Sequence, residues 1–297
     1  FPLRRGLILH GGIRYAAVTA EHGLYYDTDW AVKVLETADG RSKSIVMSIT
    51  DSAENRSKLG FLSVGQYCLE GYPEPREPMG KYPITNMVYT YTITLNADEE
   101  FVRLRMDVAN PTPNLVRGEA WLPMTFPIDE KSQIISPQRK RWRRDEWCFP
   151  DSANIVDFDT DTLLHPLKWA TSGIYYEWPT MDGHYHAVNL PSKGRGCAYV
   201  VDPSVTHFTR LWSWGDKANF NRATASVLAK GRPAAEYYEP WSSVFNSAFF
   251  QTTEFKPYSS SGWSAAILPI DSGMGDANIY DLRRTVEDRI KKANISF

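Results

Sequence analysis

The feature that most constrains this chain is a strict period of two. In MVYTYTITLN (87–96), Met87, Tyr89, Tyr91, Ile93 and Leu95 fall on one side of an extended backbone, and Val88, Thr90, Thr92 and Thr94 on the other. FVRLRMDVAN (101–110) repeats the pattern, setting Val102, Leu104, Met106 and Val108 against Arg103, Arg105 and Asp107. A helix would scatter both sets around its circumference, whereas a strand with one buried face keeps each set together. ADEE between the two runs predicts a hairpin turn.

Further short apolar runs at 31–37, 44–49, 196–202 and 262–270 are bounded by Gly, Pro, Asn and Asp. Strands at such close intervals predict an all-β, antiparallel sandwich. A helical period appears only in DANIYDLRRTVEDRIKKAN (276–294), where Asp276 is placed to cap, Leu282, Val286 and Ile290 form an apolar stripe, and Lys291 and Lys292 suit the last turn. No repeat, charge block or low-complexity linker interrupts the pattern, so residues 1–297 read as one domain with one C-terminal helix at 276–294.

Composition narrows the classes of partner. A formal charge of -2 gives no global attraction to nucleic acid or to an anionic membrane, and no apolar run reaches the roughly 18 to 20 residues that span a bilayer. Cys68, Cys148 and Cys197 lack metal-site spacing, and their odd number leaves at least one thiol free unless it pairs between chains. Sequons at Asn55-Arg-Ser57 and Asn294-Ile-Ser296 point toward a secreted or extracytoplasmic chain, and a start at Phe1 suggests that something upstream was removed. There is no glycine-rich phosphate loop and no nucleophile elbow, and no cofactor is expected. The oligomeric state is left open.

Four stretches carry residues suited to chemistry. GHYH (183–186) puts His184 and His186 on one face of a strand, a geometry for an acid/base histidine or for a metal, although no third ligand is evident. QRKRWRRDEW (138–147) gathers Arg141 and Arg143 around Trp142, which fits an anionic ligand or else a solvated loop offset by Asp145 and Glu146. Nine of ten tryptophans lie after residue 120, among them Trp121, Trp214 and Trp241, and flat aromatics at strand ends suit the CH faces of sugar rings. AEYYEPWSSVFNSAFF (235–250) sets Glu239 among Tyr237, Tyr238, Trp241 and Phe245, where a carboxylate is exposed, paired or held at a raised pKa. Near the N-terminus, Arg14 and His22 are further polar candidates.

Taken together, LHGGIRY with EHGLYYDTDW, FVRLRMDVANPTPNLVRGEAWLPM, LWSWGD, and EYYEPWSSVFNSAFF with KPYSSSGWSAAILPI resemble the galactose-mutarotase-like supersandwich. The likeness covers nearly the whole chain and is strongest to that fold's uncharacterised sugar-associated branch. It implies a saccharide held in the cleft of a concave sheet. It also implies that the first strands are missing here or supplied by a separate N-terminal segment. By the resemblance Glu239 aligns with the base of the aldose 1-epimerases, which takes the anomeric hydroxyl proton while a histidine protonates the ring oxygen. This chain departs where the family has His-Pro-Tyr, carrying Glu119-Ala120-Trp121-Leu122-Pro123 instead, so His186 or His184 becomes the expected acid.

Three readings follow from the sequence. The first is an epimerase-like or lyase-like enzyme using Glu239, Tyr238 and a histidine on a sugar that carries a uronate, with the 138–147 arginines neutralising the carboxylate. The second is a carbohydrate-binding module without catalysis, and the third is a metal-dependent sugar enzyme built on His184 and His186.

Overall fold

The computed structural model describes residues 30–58, 84–118, 122–124, 126–127, 131–137, 140–144, 153–157, 173–177, 183–206, 209–214, 237–242, 253–271 and 277–297. Within these, β-strands dominate and every pairing between them is antiparallel. In chain order the strands are β1 (Ala31–Glu36), β2 (Ser42–Thr50), β3 (Val88–Asn96), β4 (Val102–Asn110), β5 (Val116–Gly118) and β6 (Leu122–Pro123). They continue with β7 (Phe126–Pro127), β8 (Gln133–Ile135), β9 (Lys140–Arg144), β10 (Ala153–Asp157), β11 (Gly173–Glu177) and β12 (Tyr185–Leu190). The last are β13 (Arg195–Val201), β14 (Thr209–Trp214), β15 (Tyr237–Ser242), β16 (Thr253–Phe255) and β17 (Ser259–Asp271). Two α-helices are present among the described residues, a short α1 (Ala53–Lys58) that the strand pattern did not announce and α2 (Ile279–Ala293).

The first sheet runs β1-β2-β3-β4-β17-β13-β12-β8, and the second runs β10-β9-β11-β14-β15-β6 with β7 also on β15. A small third pair joins β16 to β5. The alternation in the sequence decides which side of the first sheet is buried. Tyr89, Tyr91, Leu104, Met106, Val108, Tyr199, Val201, Trp263 and Ala265 form one core with Leu122, Met124 and Phe126 from the second sheet. On the reverse of that sheet, Thr90 and Thr94 make hydroxyl contacts with Ser48 (3.0 Å) and Ser44 (2.8 Å).

Tyr199 ties the layers together, because its hydroxyl donates to the Leu122 carbonyl at 2.9 Å. Between β12 and β13 the chain turns through a single 3-10 turn, Pro191–Lys193, closed by Gly194 at φ 58°, a left-handed conformation that glycine adopts without a Cβ penalty.

The predicted C-terminal helix is α2, and it covers the other face of β8, β12, β13 and β17. Leu282, Val286 and Ile279 pack there with Ile135, Tyr185, Ala187, Ala198, Val200 and Leu268. Arg283 anchors it, its Nε donating to the buried Ser136 carbonyl at 2.7 Å. The cap is Asn278 rather than Asp276, which lies outside the described residues; the Asn278 side chain accepts from the Tyr280 and Asp281 amides at 3.0 Å each. With helix on one face and core on the other, every residue of β12 is buried.

At its far edge the first sheet is exposed. Val34 lies in one row with Ile45, Ile93 and Leu104, and Val32 in one row with Met47, Tyr91 and Met106, so both stand on the core-facing side. Yet Val32 is 58% and Val34 70% exposed, and β1 is exposed throughout.

Candidate functional site

The second sheet has two faces, and its register sorts every described strand position onto one or the other. Leu122, Met124 and Phe126 are in the core. Phe126 is opposite Tyr238 and Leu122 is opposite Ser242, while the Met124 amide donates to the Pro240 carbonyl at 2.9 Å. Residues directly opposite in an antiparallel pair share a face, so Tyr238, Pro240 and Ser242 belong to the core side. Pro240 is accordingly buried. Tyr237, Glu239 and Trp241 then belong to the face turned away from the core.

Carrying the register outward fills that second face. Glu239 is opposite Trp212, Trp241 opposite Arg210, and Tyr237 opposite Trp214. In the next strand Ile174 is opposite Trp212 and Tyr176 opposite Arg210. Beyond it, Arg144 is opposite Ile174 and Trp142 opposite Tyr176. Two rows result: Trp142, Tyr176, Arg210, Trp241 in one, and Arg144, Ile174, Trp212, Glu239 in the other. Neighbouring strands are about 4.8 Å apart, so each four-position row extends about 14 Å, the width of two to three sugar rings.

Several candidates from the sequence are thus brought together: Glu239, Trp241, Trp214 and Trp142 share this face. Others are not. Tyr238 falls on the core side, and so do Arg141 and Arg143, because Arg143 is opposite Tyr175 and Tyr175 opposite Leu211. The reason is the period of two itself: Lys140–Arg144 forms a strand rather than a loop, so its basic residues divide between faces, and Lys140 and Arg144 are placed with Glu239. Arg14, His22 and Trp121 lie outside the described residues.

The histidines are on the other sheet. His186 is directly opposite Tyr199, whose row continues through Ile267 and Val102, and it is completely buried. His184 precedes β12 on the same alternation, and its carbonyl accepts from the Val201 amide at 2.8 Å. Glu239 and His186 therefore occupy different sheets, His186 inside the sandwich and Glu239 at a position facing away from it. The expected Glu239–His184/His186 acid-base pair is not assembled by this topology. Nor does any group of three or more His, Cys, Asp or Glu able to hold a metal ion occur among the described residues.

Around Tyr199 the core contains other polar groups. The Tyr91 phenol is fully buried and held well above its usual pKa, first by burial and then by Tyr199. Its hydroxyl and the Trp263 Nε1 have no hydrogen-bond partner among the described residues. Cys197, at the margin of this core, has its thiol pushed up to about 12 by burial, so it remains protonated at neutral pH and is a poor nucleophile.

Arg210 and Trp212 are the residues that sequence reasoning missed. The signal was there, since TRLWSW (209–214) alternates Arg210, Trp212 and Trp214 against Leu211 and Ser213.

The chain matches no protein-family model and no curated protein. Its backbone does match solved structures. A galactose mutarotase-like protein from Clostridium acetobutylicum superposes with a TM-score of 0.56 at 11% identity, over 90% of this chain and 79% of that one. This chain has the galactose-mutarotase-like fold. A Klebsiella pneumoniae protein provisionally classed as an aldose 1-epimerase gives 0.55 at 10% identity, over 96% of this chain and 65% of its own. A TPR-domain containing protein from Parabacteroides distasonis gives 0.62 at 15% identity, over 93% of this chain, which spans only 42% of that longer protein. At these identities the likeness is one of fold, and the galactose-mutarotase-like architecture here consists of two antiparallel sheets with one long helix near the C-terminus.

Proposed function

We propose that this protein binds a saccharide across the face of the second sheet that carries Glu239, and acts on it as an epimerase-like enzyme with Glu239 as the base. The observation that carries the reading is the register: Glu239 is flanked along its strand by Tyr237 and Trp241 and faces Trp212 across the pair. Aromatic positions on both sides of one carboxylate are what a sugar ring needs, with flat surfaces for its CH faces and an acceptor for its hydroxyls. The galactose mutarotase-like neighbours support the same reading.

For an anomeric hydroxyl, the carboxylate would remove the proton while a second group delivers one to the ring oxygen. His186 is not that second group, being sealed between the sheets. One observation favours the non-catalytic alternative: no histidine occupies a described position on the Glu239 face, and a binding module needs only the aromatic rows.

Anomeric exchange followed by saturation-transfer NMR on a panel of aldoses decides between them. Exchange accelerated by the wild type and abolished in Glu239→Gln is expected. Binding without acceleration in either protein leaves a carbohydrate-binding module. A lyase would instead produce an unsaturated sugar with new ultraviolet absorbance.

A further inference from the structure

Resting on the saccharide reading, we infer that the sugar this face accepts is acidic, and that Arg210, with Arg144 two strands away beyond β11, recognises its carboxylate. The inference comes from charge at register positions. Among the described strand positions of this face, the cations are Lys140, Arg144 and Arg210 and the anions are Asp157 and Glu239. Lys140 and Asp157 are directly opposite each other at the sheet edge. That leaves two arginines and one glutamate in the aromatic part of the face.

The two arginines differ in their aromatic surroundings. Arg210 lies between Tyr176 and Trp241 in its row, and Arg144 is next but one to Trp142 along its own strand. A guanidinium is planar, presents a two-pronged donor edge to a carboxylate and is weakly hydrated, so it works beside stacked rings where an ammonium would retain its water. Arg210 is also diagonal to Glu239 across the β14–β15 pair, a separation of about 7 to 8 Å between backbones. A pyranose ring with its exocyclic carboxylate is of that size.

The basic cluster visible in QRKRWRRDEW contributes differently from what its composition implies. Arg141 and Arg143 fall on the opposite face, which they share with Glu177, so among the described residues of that run Lys140 and Arg144 share the Glu239 face, and Lys140 is opposite Asp157 at its edge. Charge is divided here by strand parity.

The competing arrangement is an internal Arg210–Glu239 ion pair with no call on a ligand. Calorimetric titration with a uronic trisaccharide, the matched neutral trisaccharide and a hexose 6-phosphate separates the two. Wild type, Arg210→Ala, Arg210→Lys and Arg143→Ala are compared after circular dichroism has shown each to be folded. The expected result is a preference for the uronate of about tenfold or more. Arg210→Ala should lose that preference, Arg210→Lys should weaken it and Arg143→Ala should retain it. Equal affinity of the wild type for uronic and neutral sugars overturns the acidic-ligand inference and leaves the saccharide reading standing. So does a preference that survives Arg210→Ala, or one for the phosphate alone. Failure of all three sugars to bind overturns both.

Discussion

Glu239 stands directly opposite Trp212 across the β14–β15 pair, on the face of the second sheet turned away from the core. On that relationship rests the difference between this carboxylate and the buried polar groups of the first sheet. Residues directly opposite in an antiparallel pair have Cβ atoms about 5 Å apart, close enough for one sugar ring to cover the tryptophan and meet the carboxylate. Trp212→Ala should therefore weaken saccharide binding by about two- to tenfold, since stacking on a large aromatic is worth about 0.5 to 1.5 kcal/mol. Melting temperatures measured alongside the affinities distinguish a lost platform from a lost fold.

His186 should behave as a structural residue. Completely buried opposite Tyr199, it is replaced by alanine only at the cost of a cavity and of polar contacts, about 1 to 3 kcal/mol of stability. Denaturant titration of His186→Ala checks the loss, and sugar affinity of the folded fraction should be unchanged. Unaltered stability with abolished turnover would return His186 to the chemistry.

Tyr199 tests the joint between the sheets. Its hydroxyl is the donor to the Leu122 carbonyl, so Tyr199→Phe strands a buried acceptor and should cost about 1 kcal/mol or somewhat more. The shift in urea midpoint at constant slope is the measurement. Because Leu122 and β15 are paired, a loosened joint should also raise hydrogen exchange at the Glu239 strand.

The turn before β4 carries a pH-dependent tie to the C-terminus. The Arg103 guanidinium donates to Glu99, stands 5.0 Å from the Phe101 ring centre and donates to the Ser296 carbonyl. The Arg103 hydrogen bonds hold the Glu99 carboxyl below its usual pKa. A carboxyl lowered in the folded state stabilises above its unfolded pKa, roughly 4.3, and that contribution disappears as pH falls through the lower folded value. The pair is partly exposed, so about 1 kcal/mol or less is at stake. Thermal unfolding of wild type and Glu99→Gln should differ at pH 6 and converge as the pH falls below about 4. A gap that persists at the acid end contradicts this assignment.

The architecture was legible in the chain because alternation is a direct record of one-sided burial. Tyr89, Tyr91, Leu104 and Met106, read from the sequence as one face, are the residues that pack against the second sheet. The helix was legible for the same reason, from Leu282 and Val286. The site was legible only in part. Glu239 and Trp241 could be nominated from composition, but their face depends on pairing with β6, β7 and β14, which are distant in sequence. His186 misled because a histidine two residues from another on a strand looks the same whether that face meets solvent or a second sheet. Arg141 and Arg143 mislead because QRKRWRRDEW looks like a loop, where charge acts as a cluster, and β9 instead places alternate residues on opposite faces.

The most direct test of the account is chemical-shift mapping or calorimetry of saccharide binding to wild type, Trp212→Ala and Arg143→Ala, the last two differing in which face of the second sheet they alter. The account predicts that binding falls about two- to tenfold in Trp212→Ala and is unchanged in Arg143→Ala. Full affinity in Trp212→Ala together with loss in Arg143→Ala would place the ligand on the other face and contradict it.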